Sequence, residues 1–167
     1  MEGLMRLKAM AKINLGLDVL GKREDGYHEV RMIMQTIRMY DILDIRKTRR
    51  PGVVLTTNLP FIPTDQRNLV YKAAQMLMEE FDVEEGLSIK LRKFIPVAAG
   101  MAGGSSDAAA AFVGVNRMFH LGLTEEQLME RAVKVGADVP YCIMRGTALA
   151  EGIGEKLTRL PEVPKCY

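Results

Sequence analysis

From Pro96 to Asp107 the chain reads Pro-Val-Ala-Ala-Gly-Met-Ala-Gly-Gly-Ser-Ser-Asp, and then runs into Ala108-Ala109-Ala110-Ala111-Phe112. Glycines and alanines leave the backbone open to a ligand, with Met101 as the bulky exception. A β-rich stretch, Leu87 to Phe94, ends before Pro96, which cannot donate to a ladder. Ser105 and Ser106 offer N-cap hydroxyls to a helix that the alanine run favours. A strand end, a glycine loop and a helix N-terminus together present free N–H groups and a favourable dipole to an anion, and polyphosphate is the natural ligand class. The competing reading is a tight turn that needs glycine only for positive φ. Gly104 is followed by two serines rather than Lys-Ser/Thr, so this is not a P-loop, nor is it the Gly-x-Gly-x-x-Gly dinucleotide fingerprint. Positive charge must then come from elsewhere, with Lys12 and Lys93 as the candidates.

Three other places carry side chains suited to chemistry. Lys12 and Asn14 sit in the apolar run Ala11-Lys12-Ile13-Asn14-Leu15, and a two-residue period puts both on one face. They either point into a cleft or face water from an edge strand. Asp138, in Gly136-Ala137-Asp138-Val139-Pro140, is a further candidate that in isolation reads as a plain turn aspartate. Tyr27 and His28 can stack on and hydrogen-bond a base, or be a core tyrosine and a surface histidine. His28 and His120 are the only histidines and no cysteine cluster occurs, so a zinc site is not expected. The methionine pairs Met32/Met34 and Met76/Met78 read as core filler.

The elements that must position these groups follow from periodicity and punctuation. Leu4 to Leu20 reads as one or two strands, and Gly21 to Gly26 as a polar turn. Tyr27 to Arg38 resumes strand character. Asp41 to Lys47 and Val53 to Thr57 look like a hairpin across Thr48 to Gly52. Thr64 or Asp65 can cap a helix from about Gln66 to Phe81. The helix after the glycine loop extends to about His120, and Thr124-Glu125-Glu126-Gln127 is a capping box for another, reaching Val135. Tyr141 to Ala150 is strand-like, and Leu157 to Leu160 could be a last strand. Strands first, then a strand–loop–helix unit and a helix pair, predict an α+β fold in which helices cover a mixed sheet.

Composition narrows the classes. The 167 residues suffice for one domain with its own core, and 48% apolar with 26% charged content is ordinary for a globular chain. A net charge of +2 gives no reason to expect nucleic acid or an anionic membrane as partner. Only Cys142 and Cys166 occur, so no disulfide framework is implied, and Cys142 reads as a buried thiol. Without a long apolar run or a signal-peptide core, a cytoplasmic, reduced setting is expected.

Taken together, the glycine loop resembles the ATP-phosphate motif of the GHMP small-molecule kinases. Ala11 to Leu15, Gly21 to Glu29, Gly136 to Tyr141 and Gly146 to Glu155 narrow the resemblance to the branch whose acceptor carries a cytidine diphosphate. It covers essentially the whole chain. The resemblance implies ATP and Mg²⁺, and transfer of the γ-phosphoryl to the 2-hydroxyl of a cytidine-diphosphate-linked methylerythritol in non-mevalonate isoprenoid synthesis. It matches Asp138 to the catalytic aspartate, orienting the hydroxyl and accepting its proton late, and Lys12 to its partner lysine. It matches Asn14, Tyr27 and His28 to the acceptor site, and Asn68 and Lys93 to positions near the adenosine. Pro96, Val97, Ala98, Ala99, Gly100, Met101, Ala102, Gly103, Gly104, Ser105 and Ser106 match the ATP loop, with Ser105 or Ser106 as the Mg²⁺ contact. A side chain at Gly103 is expected to fill space that the phosphates need.

Family members continue well beyond this length. The expectation is therefore a GHMP-like N-terminal domain over residues 1–160, similar in fold to a ribosomal-protein domain, with 161–167 opening a connection to a second half. Such a fragment should turn over poorly alone and self-associate through the apolar surface meant for that half. Two other readings are another GHMP kinase, such as homoserine or mevalonate kinase, and a non-catalytic nucleotide- or RNA-binding module. Gly26-Tyr27-His28 speaks against the first, and the absence of a basic, aromatic-interleaved stripe against the second.

Overall fold

The computed structural model describes residues 3–24 and 26–164. In chain order the elements are β1 (Met5–Lys22), β2 (His28–Thr48), β3 (Gly52–Thr57), α1 (Leu69–Glu80), β4 (Gly86–Arg92), α2 (Gly103–Met118), α3 (Glu125–Ala132), α4 (Val139–Met144), β5 (Thr147–Gly152) and β6 (Lys156–Arg159). This is the expected α+β arrangement: one mixed sheet in the order β3-β4-β2-β5-β6, with β1 paired to β2. Asp25, within the polar turn read at Gly21 to Gly26, and Cys166 and Tyr167 lie outside the described residues.

β2 organises the sheet. One edge carries β1, from Met5↔Ile45 to Lys22↔His28. The other edge is divided: β4 pairs with Ile42–Thr48, and β5 with Val30–Gln35. Neither strand pairs with 36–41. The β1 register also jumps there, from Met10↔Tyr40 to Lys12↔Thr36. Below this window the core-facing residues are Met32 and Met34; above it they are Asp41, Leu43 and Ile45. Side chains alternate with period two, so only an irregularity lets even positions and then odd positions face the same core. Residues 28–48 therefore form one strand, where Tyr27 to Arg38 and Asp41 to Lys47 were expected as two segments.

The expected hairpin between Asp41–Lys47 and Val53–Thr57 does not form. β4 inserts between them, antiparallel to β2 and parallel to β3. The cause is visible at Gly86, where an added Cβ would lie 1.8 Å from the Arg50 carbonyl oxygen. Only glycine lets β4 begin beneath the Thr48–Gly52 turn. β3, α1 and β4 thus make a crossover unit, the connection that parallel neighbours require.

Helix starts also differ from expectation. Asn68, not Thr64 or Asp65, caps α1: its side chain accepts from the Val70 amide, whereas Asp65 is spent on Arg67. Ser105 and Ser106 lie inside α2, which starts from Ala102 in the left-handed region with no side-chain cap. The Thr124 capping box forms as read, but α3 stops at Ala132 rather than Val135. Tyr141 to Met144 is helix, not strand. Pro140 sits in the first turn of α4, where its missing N–H costs nothing, and an apolar run alone cannot separate buried helix from strand.

α2 lies against β1 and β2, flanked by α1 and α4. Ala108 to Phe112 are all buried, so the helix is covered on nearly every side. At Gly114 an added Cβ would stand 2.4 Å from Ile45 Cδ1 and 2.7 Å from Leu7 Cδ1, which shows how closely helix and sheet approach. Cys142 is a free, buried thiol, as read. Among the described residues no helix is long and apolar enough to cross a membrane.

Gly86→Ala should cost about 2–4 kcal/mol in urea unfolding, because the clash is with backbone. Gly104→Ala, whose Cβ would meet only Leu69 Cδ1 at 3.9 Å, should be neutral or stabilise by up to ~1 kcal/mol. Burial pushes the Cys142 thiol up to about 12, and burial also pushes the Tyr141 phenol up to about 12. The native chain then keeps protons that the unfolded chain has lost, so stability should fall between about pH 9 and 12. Urea midpoints across that range should decline, and Cys142→Ala should flatten the slope.

Candidate active site

A cleft of about 670 Å³ opens beside the unpaired window of β2. One wall is the loop from Pro96 to Ala102 with the first turn of α2. Lys12, Asn14 and Asp138 also line the cleft, as do Ile62, Pro63, Arg67, Asn68 and Leu69.

The loop's shape follows from three left-handed residues, Ala98 (φ 59°), Gly100 (φ 73°) and Ala102 (φ 54°). Two of them are alanines, which reach this region only under constraint from their surroundings. Alternation through the left-handed region turns successive amides to one side, the geometry of an anion nest. Gly103, Gly104 and Ser105 add first-turn amides that have no carbonyl one turn back, and Ala102 has no side chain to cap them. The Lys12 amide ties the loop to β1 by donating to the Met101 carbonyl at 3.1 Å.

Lys12 is 5% exposed. Its Nζ donates to Asn14 Oδ1 at 3.0 Å and lies 3.7 Å from Asp138 Oδ2. Asp138 occupies the N-cap position of α4, yet its carboxylate makes no capping hydrogen bond and is about one-third exposed. It stays open to the cleft beside the ammonium. Such a pair next to unspent amides can hold a hydroxyl in line with a phosphoryl group, and phosphoryl transfer needs little more than positioning and charge stabilisation.

Beneath the loop lies a second charged group. The Lys93 Nζ donates to Asp41 Oδ2 and, at 2.6 Å, to Asp107 Oδ2. Asp41 Oδ1 accepts from the amides of Phe94 and Ile95. All three side chains are at most 5% exposed. Asp107 Oδ1 has no partner among the described residues, although Asp107 lines the cleft. Burial, only partly offset by Lys93, holds the Asp107 carboxyl well above the usual carboxylate range.

The structure thus brings Lys12, Asn14, Asp138, Lys93, Asn68 and the loop through Ser105 to one cleft. Several expected contacts are otherwise engaged. The Lys93 ammonium is committed to the two aspartates, and the Asn68 side chain holds the Pro63 carbonyl and the start of α1. Ser106 is outside the cleft lining; its hydroxyl donates to the Met10 carbonyl at 2.6 Å. A Cβ at Gly103 would press on Ile95 Cγ2 and Lys93 Nζ, both at 3.1 Å, instead of filling phosphate space. Tyr27 and His28 do not line the cleft: both are exposed at the tip of the β1–β2 ribbon, where His28 faces Lys22. Sequence reading assigned nothing to Arg67, Asp41 and Asp107. For Asp107, the available signal was a lone charge heading a run of alanines.

Residues 68–146 match the model of the GHMP kinases N terminal domain. The 4-diphosphocytidyl-2-C-methyl-D-erythritol kinase of Lachnospira eligens is 56% identical over 163 residues, which are 98% of this chain and 57% of that protein. The crystal structure of a 4-(cytidine 5'-diphospho)-2C-methyl-D-erythritol kinase superposes with a TM-score of 0.82 at 35% identity, over 93% of this chain and 55% of that one. The homoserine kinase of Cytophaga hutchinsonii, at 20% identity and a TM-score of 0.76 over 96% of this chain and 53% of its own, shares the fold alone. The chain spans about half the length of the curated relatives it matches. Fold, glycine loop and these matches agree: over residues 68–146 the chain carries a GHMP kinases N terminal domain.

Proposed function

We propose that this chain is the nucleotide-binding part of an ATP-dependent kinase whose acceptor is 4-(cytidine 5'-diphospho)-2-C-methyl-D-erythritol, phosphorylated on its 2-hydroxyl. One observation carries the reading: Lys12 Nζ and Asp138 Oδ2 stand 3.7 Å apart in the same cleft as the loop amides. The names of the relatives support the choice of acceptor.

In this reading the amides of the 96–105 segment hold the triphosphate, and the apolar side chains of Ile62, Pro63 and Leu69 shelter the base. Asp138 orients the acceptor hydroxyl and takes its proton late in the transfer. Lys12 holds that carboxylate and offsets charge on the moving phosphoryl group. No cluster of three or more His, Cys, Asp or Glu suited to a metal occurs among the described residues. The Ser105 hydroxyl, at the start of α2, would be the protein contact for Mg²⁺, which would supply charge neutralisation. Tyr27 and His28 serve the cytosine end of the acceptor, which requires the ribbon to curl towards the cleft at its register shifts, Asn14/Gly16 and Val19/Gly21.

The domain is assigned to residues 1–160. Turnover by this chain alone is low, because its residues leave the acceptor end open. Ile13, Leu15, Leu17, Val19 and Ile33 expose apolar surface along the ribbon, through which copies associate. A reduced, cytoplasmic setting and no nucleic-acid partner complete the reading.

Calorimetry should show Mg²⁺·ATP binding to the chain; absence of binding would overturn the proposal. In a protein of the relatives' full length, Asp138→Asn should slow transfer by about 10³-fold while ATP affinity changes less than about threefold. Lys12→Ala should slow it comparably and weaken ATP roughly tenfold. Sedimentation of the chain at rising concentration should show dimers that Leu17→Lys removes; a strictly monomeric profile would refute the association.

A further inference from the structure

The glycine loop is held at both ends by one buried ammonium. Before the loop, Asp41 Oδ1 accepts from the backbone amides of Phe94 and Ile95, the latter at 2.8 Å. After it, Asp107 stands in the second turn of α2. The Lys93 Nζ bridges the two carboxylates across the loop's base. A Cβ at Gly103 would stand 3.1 Å from both Lys93 Nζ and Ile95 Cγ2, so the two ends also approach closely there.

The loop between these ends has two alanines in the left-handed region. Such residues cost on the order of 1–3 kcal/mol each and persist only where the surroundings over-determine them. The loop's tip is exposed at Ala98, Ala99 and Gly100, so little packing there supplies the constraint. Apart from the Lys12 amide's bond to the Met101 carbonyl and the packing of Ala102, the constraint falls to the base of the loop.

We propose that Asp41, Lys93 and Asp107 form a clasp that fixes the loop's two ends and so presets its amides for polyphosphate, with Lys93 and Asp107 as positioning residues rather than ligand contacts. The ligand named here rests on the nucleotide reading above. Preset donors bind an anion without the ordering cost that a slack loop would incur. Two carboxylates against one ammonium would leave a negative charge beneath an anion site. Desolvation favours the protonated Asp107 carboxyl, which brings the clasp towards neutrality. Its Oδ1 is buried with no partner among the described residues.

Hydrogen exchange and calorimetry on wild type, Asp107→Ala and Asp107→Asn test the proposal. Asp107→Ala should speed exchange of the 97–105 amides about tenfold, with the β2 and β4 amides unchanged. It should weaken ATP about tenfold and shift adenosine, which has no phosphates, by less than about twofold. The near-isosteric Asp107→Asn keeps an acceptor for Lys93 and should recover most of both effects; should the alanine variant not fold, the asparagine variant carries the test, with a smaller shift confined to the same amides and to ATP. Loop exchange equal to wild type in a folded variant would overturn the clasp, as would equal losses for ATP and adenosine. If wild type binds neither ligand while the loop amides still respond, the clasp stands and the nucleotide reading fails.

Discussion

The central constraint in this fold is that one strand must serve two half-sheets. β2 gives its Ile42–Thr48 segment to β4 and its Val30–Gln35 segment to β5 on the same edge. Between them the strand has no partner on that side, and its buried positions change from even to odd. A backbone stretch without ladder bonds must be satisfied by something else. Here the Thr36 amide donates to the Gly146 carbonyl, and the Thr36 hydroxyl accepts from the Gly146 amide. Asp41, at the other end of the window, faces the core and captures the amides that lead into the glycine loop. Lys12 and Lys93, which line the cleft, are tied to the two ends of this stretch, Lys12 opposite Thr36 and Lys93 on Asp41.

The elements that form the site come from different parts of the chain, and each is placed by a local rule. Lys12 follows the register jump in β1, which puts it beside the buried Ala11 and not on the solvent side of an edge. Asp138 is positioned by Pro140, which starts α4 and leaves the aspartate at its head. The loop hangs between the end of β4 and an alanine-rich helix small enough to be buried on nearly all sides. Larger side chains along Ala108–Ala111 would push α2 off the sheet and carry the first-turn amides away from Lys12.

Much of this was legible in sequence, for identifiable reasons. Glycines and alanines followed by a helix-forming run mark a strand–loop–helix anion site, and Thr124 with Gln127 marks a helix start, because both signals are local. The hairpin at Thr48–Gly52 was misread because turn residues report that the chain reverses, not which strand lies beside the returning segment. The deciding feature was Gly86, far along the sequence, whose missing Cβ admits the Arg50 carbonyl. The Tyr141–Met144 segment was misread because a short apolar run carries no period. Lys93 lines the cleft, but its ammonium faces two aspartates, Asp41 and Asp107, distant from it in sequence, which no spacing could reveal.

The divided edge of β2 also has a mechanical consequence. Lys12 rides on β1, the glycine loop is suspended from β4, and Asp138 heads the short helix that feeds β5. These three supports converge on the unpaired window. Any small twist of one half-sheet against the other is therefore converted directly into a change of spacing between ammonium, carboxylate and amides. The interruption in the sheet acts as a gauge, and the geometry of the chemistry is set by how stiffly one long strand resists torsion at its midpoint.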